Sequence, residues 1–195
     1  MVCNSSGNLE TWKALLKERL SSKRFEHSLS VSQTASALAY RHGYDSSLAA
    51  LAGLLHDYAR DMSEEDLLDF AEANKLIGHP VERQVPVLLH GPVGAFLVRE
   101  ELGVCDREVI EAIAYHTTGA PGMSALAGIV YLADMIEPLR DFPGVAALRN
   151  LAENDLQSAI LAGLDSAIGY CMDLGMLIHP ISIEARNSLL IQKKD

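Results

Sequence analysis

The sequence predicts an all-α protein. Three features carry that expectation: apolar residues recur at helical spacing nearly throughout, alternating strand-like runs are scarce, and helix start and stop residues punctuate the chain at short intervals. The spacing predicts helices over 9–21, 24–41, 46–58, 63–74, 92–103, 106–116, 123–136, 144–151, 153–174 and 180–192. The first is anchored by Trp12, read as a core residue rather than a base-stacking platform. Gly43 follows the second as a C-cap, with His42 a terminal residue that complements the helix dipole. The third carries Ala49, Ala52 and Gly53 on the face of His56, where small side chains let a neighbouring helix approach. Ser63 suits an N-cap for the fourth, and Glu64, Glu65 and Asp66 suit its positive end, so this acidic run reads as a solvated helix start and not a metal cluster. Pro92 and Pro180 suit first turns. No repeat, low-complexity tract or linker divides the chain; one domain over 1–195 is expected, with a core of about 9–190 and loose tails at 1–8 and 193–195.

Composition narrows the function. At 195 residues, 49% apolar and 22% charged, the chain can bury one sizeable core. Its net charge of -10 argues against duplex nucleic acid as a partner, because such binding relies on many Lys and Arg contacts to phosphate. An anionic substrate therefore needs a local positive site. Cys3, Cys105 and Cys171 form neither a paired framework nor a CxxC pattern, so a reduced intracellular compartment is expected and a metal would be held without sulfur. With no signal-peptide pattern and no apolar run approaching the ~18 residues of a membrane span, the expectation is a soluble, cytoplasmic protein without a membrane partner.

Metal-ligand residue types recur along the chain: His27, His56-Asp57, His90, His116 and Asp134. His27 shares a helix face with Val31 and Leu38 and points inward. His56-Asp57 closes an apolar helix; a divalent cation would neutralise the pair, while the bland alternative is a histidine complementing the helix dipole beside a solvated aspartate. His90 precedes a helix start and His116 follows a helix end, and each suits a capping role as well as a functional one. Asp134 shares the face of Ala127, Val130 and Tyr131, and a carboxylate on that buried side wants a cation or a buried donor. His79, in a loop before Pro80, stays outside this set.

In context these residues resemble the HD-domain metal-dependent phosphohydrolases. The segments Arg24-Phe25-Glu26-His27-Ser28, Gly53-Leu54-Leu55-His56-Asp57-Tyr58-Ala59-Arg60, Leu89-His90-Gly91, His116-Thr117-Thr118-Gly119 and Tyr131-Leu132-Ala133-Asp134-Met135-Ile136-Glu137-Pro138-Leu139-Arg140 are similar to the bacterial YqeK branch, the symmetrical bis(5'-nucleosyl)-tetraphosphatases, over roughly 9–190. The resemblance implies an HD-type helical bundle that binds iron, one or two ions, and cleaves diadenosine tetraphosphate and related dinucleoside polyphosphates to ADP- or GDP-type products. It implies that His27, His56, Asp57 and Asp134 ligate the metal, and that His90 and His116 either complete a second metal site or touch the phosphates. It implies phosphate contacts from Arg140, Thr117 and Arg60, and a nucleotide-wrapping loop of Leu177, Ile178, His179, Pro180, Ile181 and Ser182. Arg60 departs from the lysine many relatives carry there, and Arg can fork two bonds to a phosphate where Lys cannot.

Histidine and carboxylate ligands without sulfur suit iron, manganese, cobalt or zinc better than magnesium. The expected chemistry is attack of a metal-held hydroxide next to the central bridging oxygen, giving two ADP. Competing expectations are another HD-type nucleotide phosphohydrolase (a nucleotidase or guanosine-tetraphosphate hydrolase), a metal-dependent nucleotide sensor that turns over poorly, and an oxygenase with a di-iron centre. Oligomeric state is open, a homodimer included.

Overall fold

The computed structural model describes residues 9–193; the tails 1–8 and 194–195, and with them Cys3, lie outside the described residues. These residues fold as α1 Leu9–Arg19, α2 Ser22–Arg41, α3 Ser46–Leu55, α4 Glu64–Ala73, α5 Val81–Gln84, a 3-10 turn Pro86–Leu89, α6 His90–Leu102, α7 Arg107–Tyr115, α8 Ala125–Ile136, α9 Val145–Asn154, α10 Leu156–Asp173 and α11 Pro180–Gln192. There is no strand among the described residues, and the fold is all-α. No helix is long and apolar enough to cross a membrane. Short polar side chains start the helices: Asp45, Ser63, Asp106, Ser124 and Asp155 each accept backbone N–H groups that a first turn leaves unpaired. Trp12 is buried, and His42 ties the end of α2 to α9 through Nε2 and Ala152 O, 2.7 Å apart.

Two boundaries near the site and two short elements differ from the sequence expectation, while other helix ends shift by up to three residues. α3 stops at Leu55 instead of 58, because the chain turns repeatedly after it: Tyr58 N–H donates to Leu55 O at 3.1 Å and Arg60 N–H to Asp57 O at 2.9 Å. α6 starts at His90, so Pro92 is its third residue, where a missing N–H is still harmless. α5 and the 3-10 turn were not expected, since four-residue turns carry no readable periodicity.

Helices α2, α3, α7 and α8 pack against one another, α6 lies on α7 and α4, and α10 rests on α8 and carries α9 and α11. Their buried apolar residues form one cluster running from Trp12 to Leu189. Glycine sets two of the spacings. A Cβ at Gly53 would lie 3.0 Å from Ser32 Cα and 3.1 Å from Val31 O, so α3 approaches α2 at backbone distance. A Cβ at Gly91 would meet Ala114 O at 2.6 Å, a backbone atom that cannot swing aside. Gly91→Ala is therefore expected to cost about 1–3 kcal/mol, the usual range for overpacking. That corresponds to a fall in melting temperature of roughly 2–4 °C per kcal/mol for a chain of this size. Gly94→Ala is the control: its Cβ would sit at an ordinary 3.6 Å from Ala59 N, and it should leave the melting temperature unchanged or raised.

Candidate metal centre

Three of the site histidines are placed by the same local device. A helix end leaves carbonyls without partners, and a histidine just beyond can donate its Nδ1–H back to one of them. His56 Nδ1 donates to Gly53 O at 2.8 Å at the end of α3, and His116 Nδ1 donates to Ile113 O at 2.7 Å at the end of α7. His90 Nδ1 donates to Val87 O, the carbonyl that also receives its backbone N–H at the close of the 3-10 turn. A carbonyl only accepts, so the proton of each neutral ring is on Nδ1 and Nε2 carries a lone pair. Capping thus uses only Nδ1 of each ring and leaves Nε2 for another partner.

The free nitrogens converge. His90 Nε2 and His116 Nε2 lie 2.9 Å apart, and the Thr117 hydroxyl sits 3.2 Å from the latter and 3.5 Å from the former. Asp57 reaches four of the rings: Oδ1 is 3.3 Å from His90 Nε2 and 3.7 Å from His116 Nε2, while Oδ2 is 3.6 Å from His56 Nε2 and 3.9 Å from His27 Nε2. Asp134 Oδ1 lies 2.9 Å from His27 Nε2 and 3.9 Å from His56 Nε2. Two ligand groups result, His27 with His56 and Asp134, and His56 with Asp57 and His116, each with donor atoms within 4.8 Å of one another. They share His56.

Behind His27 stands Glu137, which is 1% exposed. Its Oε1 accepts His27 Nδ1–H at 3.0 Å, and its Oε2 accepts the Ser30 hydroxyl and Leu139 N–H, both at 2.7 Å. Such a carboxylate fixes the tautomer and direction of a ligating ring. The turn that carries it is held by Arg149, whose guanidinium donates to Ile136 O, Glu137 O and Arg140 O at 2.8 Å each.

A divalent cation fits this donor set. His56 Nε2 is buried without a hydrogen-bond partner, His27 Nε2 faces Asp134 Oδ1 at 2.9 Å, and two lone pairs face each other between His90 and His116. Buried polar atoms are rarely left so. A proton on His116 is disfavoured there, because burial, with His90 and His56 close by, pushes its pKa down to about 3. Burial opposes charge on Asp57 and Asp134 as well. The surrounding histidines outweigh it at Asp57, and His27, His56 and Arg140 outweigh it at Asp134, so both carboxylates ionise well below their usual range. At Glu137, burial is outweighed by the bonds from Ser30, Leu139 and His27. His27 moves the other way, since Asp134 and Glu137 favour its charged form more than burial disfavours it.

These shifts fix the acid response of the protein once a chelator has removed metal. Between pH 6.5 and about 3 the unfolded chain binds a proton that native His116 refuses, so stability falls as pH drops through that window. The depressed carboxylates add to the loss from about pH 4.5 downward, as the unfolded chain takes up their protons. His27 does not offset this, because a raised pKa contributes fully below 6.5. The melting temperature should decline steadily from pH 6.5 to pH 4; a flat profile would contradict the assigned protonation states.

The six ligand-type residues of the sequence pattern are thus together. Arg140 sits beside them with Nε on Asp134 O at 2.8 Å and Nη2 on Asp134 Oδ1, so the expected phosphate contact is also a partner of an expected ligand. Arg60 is not drawn in: among the described residues its side chain has no hydrogen bond or ion pair with the cluster. The 177–182 loop packs on the 79–82 segment, with His179 Nε2 3.4 Å from Glu82 Oε1 and its ring 5.2 Å from that of His79. Sequence reasoning gave no role to Glu137, Arg149 or Arg24; only Glu137 left a trace, an acidic residue ending a strongly apolar helix just before Pro138.

Comparison with known proteins bears on this arrangement. The HD domain family profile matches residues 24–139, which contain all six ligand-type residues. The chain belongs to the HD domain family. It is 38% identical to a Bacillus subtilis protein named symmetrical bis(5'-nucleosyl)-tetraphosphatase, over 94% of this chain and 98% of that protein. A protein of the same name from Halalkalibacterium halodurans is 39% identical, over 92% and 96%. A crystal structure from Clostridium acetobutylicum, described as a predicted HD superfamily hydrolase involved in NAD metabolism, is 37% identical and superposes with a TM-score of 0.91, covering 95% of this chain and 98% of that one. As an HD-domain member the chain is a hydrolase that uses a divalent metal, and the His/Asp cluster is its candidate metal site.

Proposed function

We propose that this protein hydrolyses dinucleoside tetraphosphates symmetrically, converting diadenosine tetraphosphate to two ADP with iron as the resident metal. The observation that carries the reading is the convergence of the Nε2 atoms of His27, His56, His90 and His116 on Asp57 and Asp134. The symmetrical tetraphosphatases of Bacillus subtilis and Halalkalibacterium halodurans support the substrate, because the match covers nearly their whole length. Nitrogen and oxygen donors without sulfur suit iron, manganese, cobalt or zinc, and the motif resemblance favours iron.

On this reading His27, His56, Asp57 and Asp134 hold the metal, and His90 and His116 hold a second ion or meet the phosphates. When bound, the metal supplies Lewis acidity toward phosphoryl oxygens and activates the attacking water. Water adds to a phosphorus beside the central bridge, the P–O bond to the bridging oxygen breaks, and the departing ADP keeps that oxygen. Thr117, with its hydroxyl between His90 and His116, and Arg140, at the edge of Asp134, offset charge on the phosphates. The 177–182 loop offers apolar surface for a base, since Leu177 is exposed. Fixed dipoles and cations of this kind are the main source of rate in phosphoryl transfer.

The test is product identity. Protein loaded with ferrous iron without oxygen should give two ADP per diadenosine tetraphosphate on ion-exchange chromatography. AMP with ATP would overturn symmetrical cleavage, and consumption of oxygen would point instead to oxygenase chemistry.

A further inference from the structure

We infer that Arg24 forms a phosphate-binding position at the rim of the metal centre, distinct from Arg140. The inference deepens the functional reading above and rests on it for the identity of the polyphosphate. The arginines of the fold divide by what their guanidinium groups touch. Arg149 is spent on three backbone carbonyls, and Arg19 on Tyr58 O, Tyr58 Oη and Glu101. Each makes three hydrogen bonds that tie parts of the fold together. Arg24, among the described residues, makes a single long hydrogen bond from Nη1 to Asp57 Oδ2, at 3.4 Å. A guanidinium with five donors is poorly used there.

Its position is also unfavourable for the helix. Arg24 is the third residue of α2, whose first turn holds Lys23 and Arg24 and no acidic residue. The positive end of a helix disfavours cations, so local electrostatics do not explain either side chain. A local misfit of this kind is the mark of a functional position. Arg24 lies three residues before His27 and so on the same helix face. Its side chain is 31% exposed while Asp57, which it touches, is almost fully buried, so it spans from solvent to the centre. Asp57 Oδ2 and Asp134 Oδ1 both lie within 4 Å of His27 Nε2, and each carries an arginine, Arg24 on the first and Arg140 on the second. A chain of phosphates crossing the centre would meet one guanidinium at each carboxylate. Arginine suits this role because it can fork two bonds to one phosphate.

The alternative is that Arg24 only steadies Asp57, and metal content separates the two. Arg24→Gln and Arg24→Lys are compared with the unaltered protein for bound iron by elemental analysis, for ADP and inorganic pyrophosphate affinity by calorimetry, and for KM and kcat. The expected result is full iron content in both variants, with affinity for both ligands about tenfold or more weaker in Arg24→Gln and partly restored in Arg24→Lys. KM should rise more than kcat falls. Unchanged ligand affinity, or loss of iron in parallel with affinity, would overturn the inference. Pyrophosphate keeps the test independent of the substrate reading, because that reading fails through the products of the unaltered protein.

Discussion

Asp57→Asn is expected to remove the bound metal and lower hydrolysis more than ~100-fold, beyond the range lost when only a partner of a ligand is changed. Among the described residues, no other carboxylate comes within 4 Å of all four histidine Nε2 atoms. The asparagine keeps the shape but exchanges a carboxylate oxygen for an N–H donor. That donor can hydrogen-bond to a histidine lone pair, filling the space a cation needs with a neutral contact. The fold should survive, since a buried charge is removed without leaving a cavity. Far-ultraviolet circular dichroism should match the unaltered protein, and elemental analysis should find the metal gone. Full iron content in this variant would exclude Asp57 as a ligand.

Glu137→Gln should weaken metal binding by about 10–100-fold although Glu137 lies behind the ligands. The reason is a conflict of donors. Leu139 N–H and the Ser30 hydroxyl both point at Oε2, and His27 Nδ1–H points at Oε1. A glutamine has one acceptor oxygen for these two sides. If it serves Leu139, its NH2 group faces His27 Nδ1, and the ring must shift its proton to Nε2. That proton then occupies the ligand position. If it serves His27 instead, a fixed backbone N–H is left opposing a donor, at a cost of about 1–3 kcal/mol. The first arrangement predicts weak metal binding with near-normal stability, and thermal melting beside metal titration separates the two.

Periodicity made most of the fold legible, because the buried faces of α2, α3 and α8 are long and regular. His27 with Val31 and Leu38, and Ala49 with Ala52 and Gly53, lie on the buried sides that their spacing indicates. The same argument fails for α5 and the 3-10 turn, which are shorter than one readable repeat. At the centre, the ligand-type residues were legible because an ionisable group on an apolar face needs a partner whatever the tertiary structure. Their supports were not. Glu137 meets His27 across 110 residues, and Arg149 grips carbonyls that no sequence pattern marks. Arg140 shows the same limit: its charge near Asp134 was readable, but not that it bonds to both the carboxylate and the carbonyl of that residue. Nor did sequence show that a single histidine can cap a helix with Nδ1 while Nε2 faces the centre, which requires the carbonyl of the residue three back.

The measurement that bears most directly on the metal centre is anomalous X-ray scattering from crystals grown with ferrous iron under nitrogen, recorded on both sides of the iron absorption edge. The expected result is a peak bounded by His27, His56, Asp57 and Asp134, with Nε2 atoms at about 2.0–2.2 Å from it, as first-row metals require. An iron peak elsewhere, with this cluster empty in crystals of active protein, would contradict it.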